Sequence, residues 1–167
     1  MARKLRFFAV LFACAIPIVL VDGCGGSGGS SPEAAVRAQF IAQADPICRQ
    51  VNAKRVAFNA SLGYATSLSK SRTRSAIERE VPALVAYERQ ALVQLQALKA
   101  PTSMAANWQA ILSGLRQIST NTGRLVSYAK SNNVKASARI APLDRGIWLK
   151  LLPIAAREGF AHCGRLT

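Results

Sequence analysis

From residue 33 onward, apolar side chains recur at three- and four-residue intervals along four stretches, the spacing of one face of an α-helix. The first stretch runs from about Glu33 to Ser69 and sets Val36, Phe40, Ile41, Ala44, Ile47, Cys48, Val51, Phe58 and Leu62 near one stripe. Asp45 before Pro46 reads as an N-cap followed by a first helical residue, so two helices meet there or one long helix kinks. The second, about Thr73 to Leu98, turns Ile77, Val81, Leu84, Val85, Leu92, Leu95 and Leu98 inward, with a kink expected near Pro82. Ala100-Pro101-Thr102-Ser103 is a turn. The third, about Met104 to Ser131, buries Trp108, Ile111, Leu112, Leu115, Ile118, Leu125 and Val126. After Ser131-Asn132-Asn133 the fourth, about Val134 to Phe160, buries Ile140, Leu143, Ile147, Leu151 and Ile154. Trp148 flanks that stripe, and kinks are expected at Pro142 and Pro153. From residue 33 onward, runs of alternating β-branched and aromatic residues and Asn-Gly or Asp-Gly turns are absent. Short turns between long helices imply antiparallel neighbours, and so an all-α, up-down antiparallel four-helix bundle over residues 33–167.

A different pattern precedes the bundle. Arg3, Lys4 and Arg6 lead into an apolar run from Phe7 to Val21, then Val21-Asp22-Gly23-Cys24 and a Gly/Ser stretch from Gly25 to Ser31. A basic start, a short apolar run and a small residue mark a secretory signal, here residues 1–23. The 15-residue run is short of the about 20 residues a spanning helix needs. Val21 to Cys24 resembles the lipobox of bacterial lipoproteins, with Asp22 departing from its usual small residue. That resemblance implies cleavage before Cys24, its diacylation, and an extracytoplasmic protein held on the cell membrane by lipid. A plain signal, cut nearby to leave a free Cys24, is the alternative. Residues 24–32 then form the lipidated cysteine and a tether with no apolar side chain to pack, which behaves as a flexible coil.

Charge narrows the partners. Three of the 22 basic residues and one of the eight acids precede Cys24, leaving 19 against seven on the mature chain. In a cytoplasmic protein such an excess would suggest nucleic acid. Export removes that partner, and the aromatic interleaving of single-strand binders is missing. The polyanions within reach of an exported chain are anionic lipid and envelope polymers.

Once Cys14 leaves with the signal and Cys24 is acylated, Cys48 and Cys163 remain, near opposite ends of the domain. Two leftover cysteines in an exported chain most often pair, and an up-down bundle sets the start of its first helix beside the end of its fourth. Phe40-Ile41-Ala42-Gln43-Ala44-Asp45-Pro46-Ile47-Cys48 also resembles the A-D-x-I-C segment that opens many uncharacterised exported actinobacterial lipoproteins. Pro101 and the ending Gly159-Phe160-Ala161-His162-Cys163-Gly164 are similar as well. The resemblance implies the helical fold, the Cys48–Cys163 disulfide and the anchor, and no activity.

Candidate chemistry is sparse. Asp45, Cys48 and His162 could converge as a thiol nucleophile, base and orienting carboxylate, but a disulfide removes the thiolate. One histidine and one carboxylate are too few for a metal. Glu78 and Glu88 stand nearly three turns apart, too far for a glycosidase pair, and with Glu80 are expected to pair with Arg74, Arg79 and Arg89 on a solvated face. No catalytic residues, metal ligands or cofactor motif are assigned. Two function classes remain: a non-enzymatic interaction or structural module of the envelope, or a bundle holding a small apolar ligand in a void lined by Trp108, Trp148 or Phe58.

The lipobox makes one prediction. Cys24→Ala should release the protein from membranes or leave an uncut precursor. Unchanged fractionation and unchanged mass would exclude acylation at Cys24.

Overall fold

The computed structural model describes residues 31–165, apart from the side chains of 64–68. The signal, Cys24 and the tether up to Ser30 lie outside the described residues. Five α-helices follow: α1 Pro32–Leu68, α2 Lys70–Ala97, α3 Ala105–Lys130, α4 Val134–Ala138 and α5 Ile140–Glu158, with a single 3₁₀ turn, Thr102–Met104, before α3. No strand occurs among the described residues. α1 packs on α2, α2 on α3, and α3 on α5, while the short α4 lies against α3. This is the expected helical bundle, with its fourth helix in two pieces.

Local chemistry explains the breaks. Ser69 alone separates α1 from α2, its extended backbone allowing its hydroxyl to accept from the Arg72 amide at 3.2 Å. The Asn133 side chain accepts from the Ala136 amide at 2.9 Å and starts α4. The fourth helix was expected to run from Val134 to Phe160 with a kink at Pro142. It stops at Ala138 instead, because the proline ring opposes the carbonyl four residues back and its missing N–H is tolerated in a first turn. Helix α1 continues through Pro46, so Asp45 caps no helix there. Gly159, at φ +87°, ends α5 in the left-handed conformation that glycine adopts without penalty.

Helices α3 and α5 meet in a regular register. Asn107 bonds Glu158, the Leu151 side chain lies over Gly114, and Asn121 bonds Asp144, so contacts recur every seven residues on both helices. Seven residues are about two turns, the repeat of antiparallel helices packed at a shallow angle. At Gly114 the approach is close: an added Cβ would sit 2.7 Å from a Leu151 methyl.

Two apolar clusters result. The larger gathers Phe40, Leu95, Met104, Trp108, Ile111, Leu151, Ala155 and Phe160 at the end where the chain enters and leaves the bundle. Trp108 stacks on Phe160 at 5.5 Å and takes Phe40 edge-on at 5.0 Å. The smaller joins Ile77, Val81, Val85 and Ala129 at the opposite end. Two inward assignments fail. Val36 is 51% exposed, because the packed stripe starts at Phe40 and the turn before it overhangs the core. Leu143 is 53% exposed: five residues before Trp148, it points about 140° away from the buried stripe of α5. Trp148 itself is buried.

The end of α5 is fastened back to α1. Cys48 and Cys163 form a disulfide, as expected. One stripe of α1 holds the tail around it. The Asp45 carboxylate accepts from the amides of Ala161, His162 and Cys163 at 2.7 to 3.0 Å, and the Asn52 amide donates to the carbonyls of His162 and Arg165, each at 3.1 Å. Above it, buried Glu158 accepts from Arg37 of α1 at 3.0 Å and from Asn107 of α3.

Because the disulfide closes a loop of 115 residues, Cys48→Ser and Cys163→Ser should each lower the unfolding free energy by about 2–5 kcal/mol. The double variant should be no worse than either single one. Chemical denaturation checks this, and two free thiols titrated in the native oxidised protein would refute it.

Candidate ligand-binding cleft

Fastened at one end, α1 and α5 stand apart at the other. Between them opens a cleft of about 430 Å³. Apolar walls come from Phe58 and Leu62 of α1, Leu84 of α2, Leu125 of α3, and Ile140 and Trp148 of α5. Polar groups also converge on it: Arg55 and Asn59 from α1, Thr122 from α3, Ser137 from α4, and Asp144 and Arg145 from α5. A mostly apolar concavity of a few hundred Å³ with a few placed polar groups is the usual form of a small-molecule site. Of the void-lining residues anticipated from sequence, Phe58 and Trp148 are present here. Trp108 is instead sealed in the core, 2% exposed.

Of the lining residues, Arg55 and Asp144 reach charged and polar groups that lie behind the cleft wall, away from water. Arg55 Nη2 lies 2.6 Å from Glu88 Oε1 of α2, with the two side chains 12% and 3% exposed. The same guanidinium reaches Thr122 Oγ1 at 3.5 Å. Asn121, buried on α3, donates to Asp144 Oδ1 at 2.8 Å. Burial raises the Glu88 carboxyl above its ordinary pKa, against the pull of Arg55 and the Ser119 hydroxyl. Burial also raises Asp144, against its bond from Asn121 and the charge of Arg55. The charge of one guanidinium is thus felt by two desolvated carboxyls.

Glu88 corrects the sequence reading. Glu78 pairs with Arg74 at 3.3 Å and Glu80 with Arg79 at 2.9 Å, both as expected. Glu88 turns inward to Arg55 and not to Arg89, because it falls on the same face of α2 as the buried Leu84, Ala91, Leu92 and Leu95. That position among buried neighbours was the sequence signal that could have found it.

Asp45, Cys48 and His162 are brought together, in other roles. Cys48 is in the disulfide, and Asp45 spends both oxygens on backbone amides of the tail. His162 borders a separate cavity of about 20 Å³, shared with Asn52, Arg55 and Glu88, which has room for one water. Among the described residues no group of three or more His, Cys, Asp or Glu could hold a metal ion. No protein-family model, curated protein or solved structure matches this chain.

The buried pair predicts a distinctive mutational pattern. Glu88→Leu or Arg55→Met alone leaves an uncompensated buried charge and should cost about 3–5 kcal/mol, whereas the double replacement should cost much less. Equal and additive losses would refute burial of the pair. Glu88 also has a pH signature. With the folded-state pKa raised, the folded state binds protons more tightly than the unfolded state just above the ordinary carboxylate range. Stability contributed this way is full below that range and is lost as pH rises through the raised value. The stability of the wild type relative to Glu88→Gln should therefore fall across that window and stay flat above it.

Proposed function

We propose that this chain is an extracytoplasmic lipoprotein, tethered to the cell membrane through Cys24, whose helical domain is a non-enzymatic binding module for a small amphiphile. The anchor rests on the lipobox-like Val21-Asp22-Gly23-Cys24 and its Gly/Ser tether. The resemblance of the Asp45–Cys48 segment and the Gly159–Gly164 ending to exported lipoproteins supports the same location.

The cleft between α1 and α5 carries the binding reading. It offers an apolar body of ligand the rings of Phe58 and Trp148 and the side chains of Leu62, Leu84 and Leu125. A polar group at the ligand's end meets Thr122, Asp144 and Arg145. Arg55 in the lining is paired with Glu88 behind it, which offsets its charge. This arrangement suits a molecule with one polar end better than a wholly hydrocarbon one, which would leave Asp144 with only its bond from Asn121 in place of water. Of the two classes left open by the sequence, the small-ligand binder is thus the one a specific feature favours.

A neutral naphthylamine dye, which brightens in apolar sites, tests the cleft. It should bind the full chain at one saturable site. Ala141 lies on the exposed rim of the cleft, so Ala141→Trp should block the dye while leaving the unfolding midpoint unchanged. Undiminished dye binding in that variant, or no binding to the wild type, would refute the cleft as the site.

A further inference from the structure

Most acidic residues of this domain are engaged by its own groups. Of the seven among the described residues, Glu33 stands exposed in the first turn of α1; Asp45 holds the tail, Glu78 and Glu80 pair along α2, Glu88 and Glu158 are buried against Arg55 and Arg37, and Asp144 turns to Asn121. Five of the nineteen basic residues have an acidic partner within 4.0 Å: Arg37, Arg55, Arg74, Arg79 and Arg157. The rest of the positive charge faces solvent or neutral groups.

The result is sharpest on α5. Both its acids, Asp144 and Glu158, lie on the side packed against α3. Its outward side carries Arg145, Lys150 and Arg157, with Arg139 just before the helix, and no acid at all. Leu149, 62% exposed, stands between Arg145 on one side and Lys150 and Arg157 on the other, with Leu152 at 44% beside Arg145 and Leu143 at 53% beside Lys150. The other large exposed apolar side chains, Val36 and Val56 on α1, Val93 on α2 and Val134 on α4, are not gathered in this way. Beside the leucines, a groove of about 590 Å³ between α3 and α5 is lined by Arg116, Arg124 and Lys150, again with no acid in its lining.

From this we infer that the outward face of α5, with the adjoining groove, lies against an anionic lipid bilayer. A helix with leucines on one face and basic residues on either side seats its apolar side chains at the boundary of headgroups and acyl chains, while the cations meet lipid phosphates. Anionic headgroups complement both the helix face and the Arg116–Arg124–Lys150 groove. The inference rests on the anchor proposed above, which holds the domain within reach of the surface. Arg145 lies on this face and also lines the cleft, so docking brings the mouth of the cleft close to the lipid.

The acylated full chain, labelled with a fluorophore at Leu149→Cys, should be reconstituted on vesicles containing lipids brominated along their acyl chains. On vesicles rich in phosphatidylglycerol the label should be quenched, and quenching should fall as salt shortens the range of the attraction below about 8 Å. On phosphatidylcholine vesicles the protein should stay attached with the label unquenched, as should a label at Val93→Cys on both vesicle types. Adding Arg139→Glu and Lys150→Glu should abolish quenching without detaching the protein. Attachment to both vesicle types with no quenching at Leu149 overturns this docking face and leaves the anchor standing. Failure to attach to phosphatidylcholine overturns the anchor instead. Quenching abolished by inorganic phosphate at constant ionic strength, or a label shielded by self-association in solution, also overturns the bilayer assignment.

Discussion

The fold depends on how one stripe of α1 grips the C-terminal tail. Asp45, Cys48 and Asn52 occupy successive turns of a single helix face and hold residues 161–165 by carboxylate, disulfide and carboxamide. A four-helix bundle whose helices pack only in chain order would leave its first and last helices without a common fastening. Here the tail supplies it. Amides released where α5 ends at Gly159 find an acceptor in Asp45, and the aromatic group of Phe40, Trp108 and Phe160 packs at the same level. Closure at this end leaves the other end free to part around the cleft.

Polar placement follows from the same constraint. With so few acids, each one positioned at a helix contact removes a negative charge from the surface. Glu158 ties α1, α3 and α5 together; Glu88 ties α1 to α2; Asp144 ties α5 to α3. The inside is thereby specified by ion pairs and carboxylate bonds, and the outside inherits the cations. Stability and surface character are two results of one distribution of carboxylates. Each buried carboxylate costs desolvation, as the raised pKa values of Glu88 and Asp144 register.

The sequence made much of this legible, for definite reasons. Stripes such as Ile77–Val81–Leu84–Val85 and Trp108–Ile111–Leu112 repeat locally, so helices and their buried faces could be read without knowing any neighbour. Cys48 and Cys163 were legible because reading residues 1–24 as a signal and lipid anchor left them no other partner. Asp45 was not, because Asp-Pro has a strong local meaning while its real partners lie more than a hundred residues away. Glu88 was hidden by the arginines flanking α2, since what buries it comes from α1 and α3. Pro142 signalled a disturbance, but only steric conflict with the preceding turn fixed the break at Arg139. A cleft formed by the parting of two helices leaves no periodicity at all.

The position of the disulfide has a mechanical consequence. Cys48 and Cys163 turn nearly the whole domain into a covalent ring, outside which α1 contributes only its first turns, from Pro32 to Ile47. A pull on the chain at the start of α1 would strip those turns, breaking the Arg37–Glu158 pair and drawing Phe40 from its aromatic neighbours. It would then meet the sulfur–sulfur bond and go no further. Every residue lining the cleft, from Arg55 to Trp148, lies within the ring. Tension applied at the N-terminal end of α1 is thus carried across the bridge to the tail, and the end of the bundle that holds the cleft is spared the force.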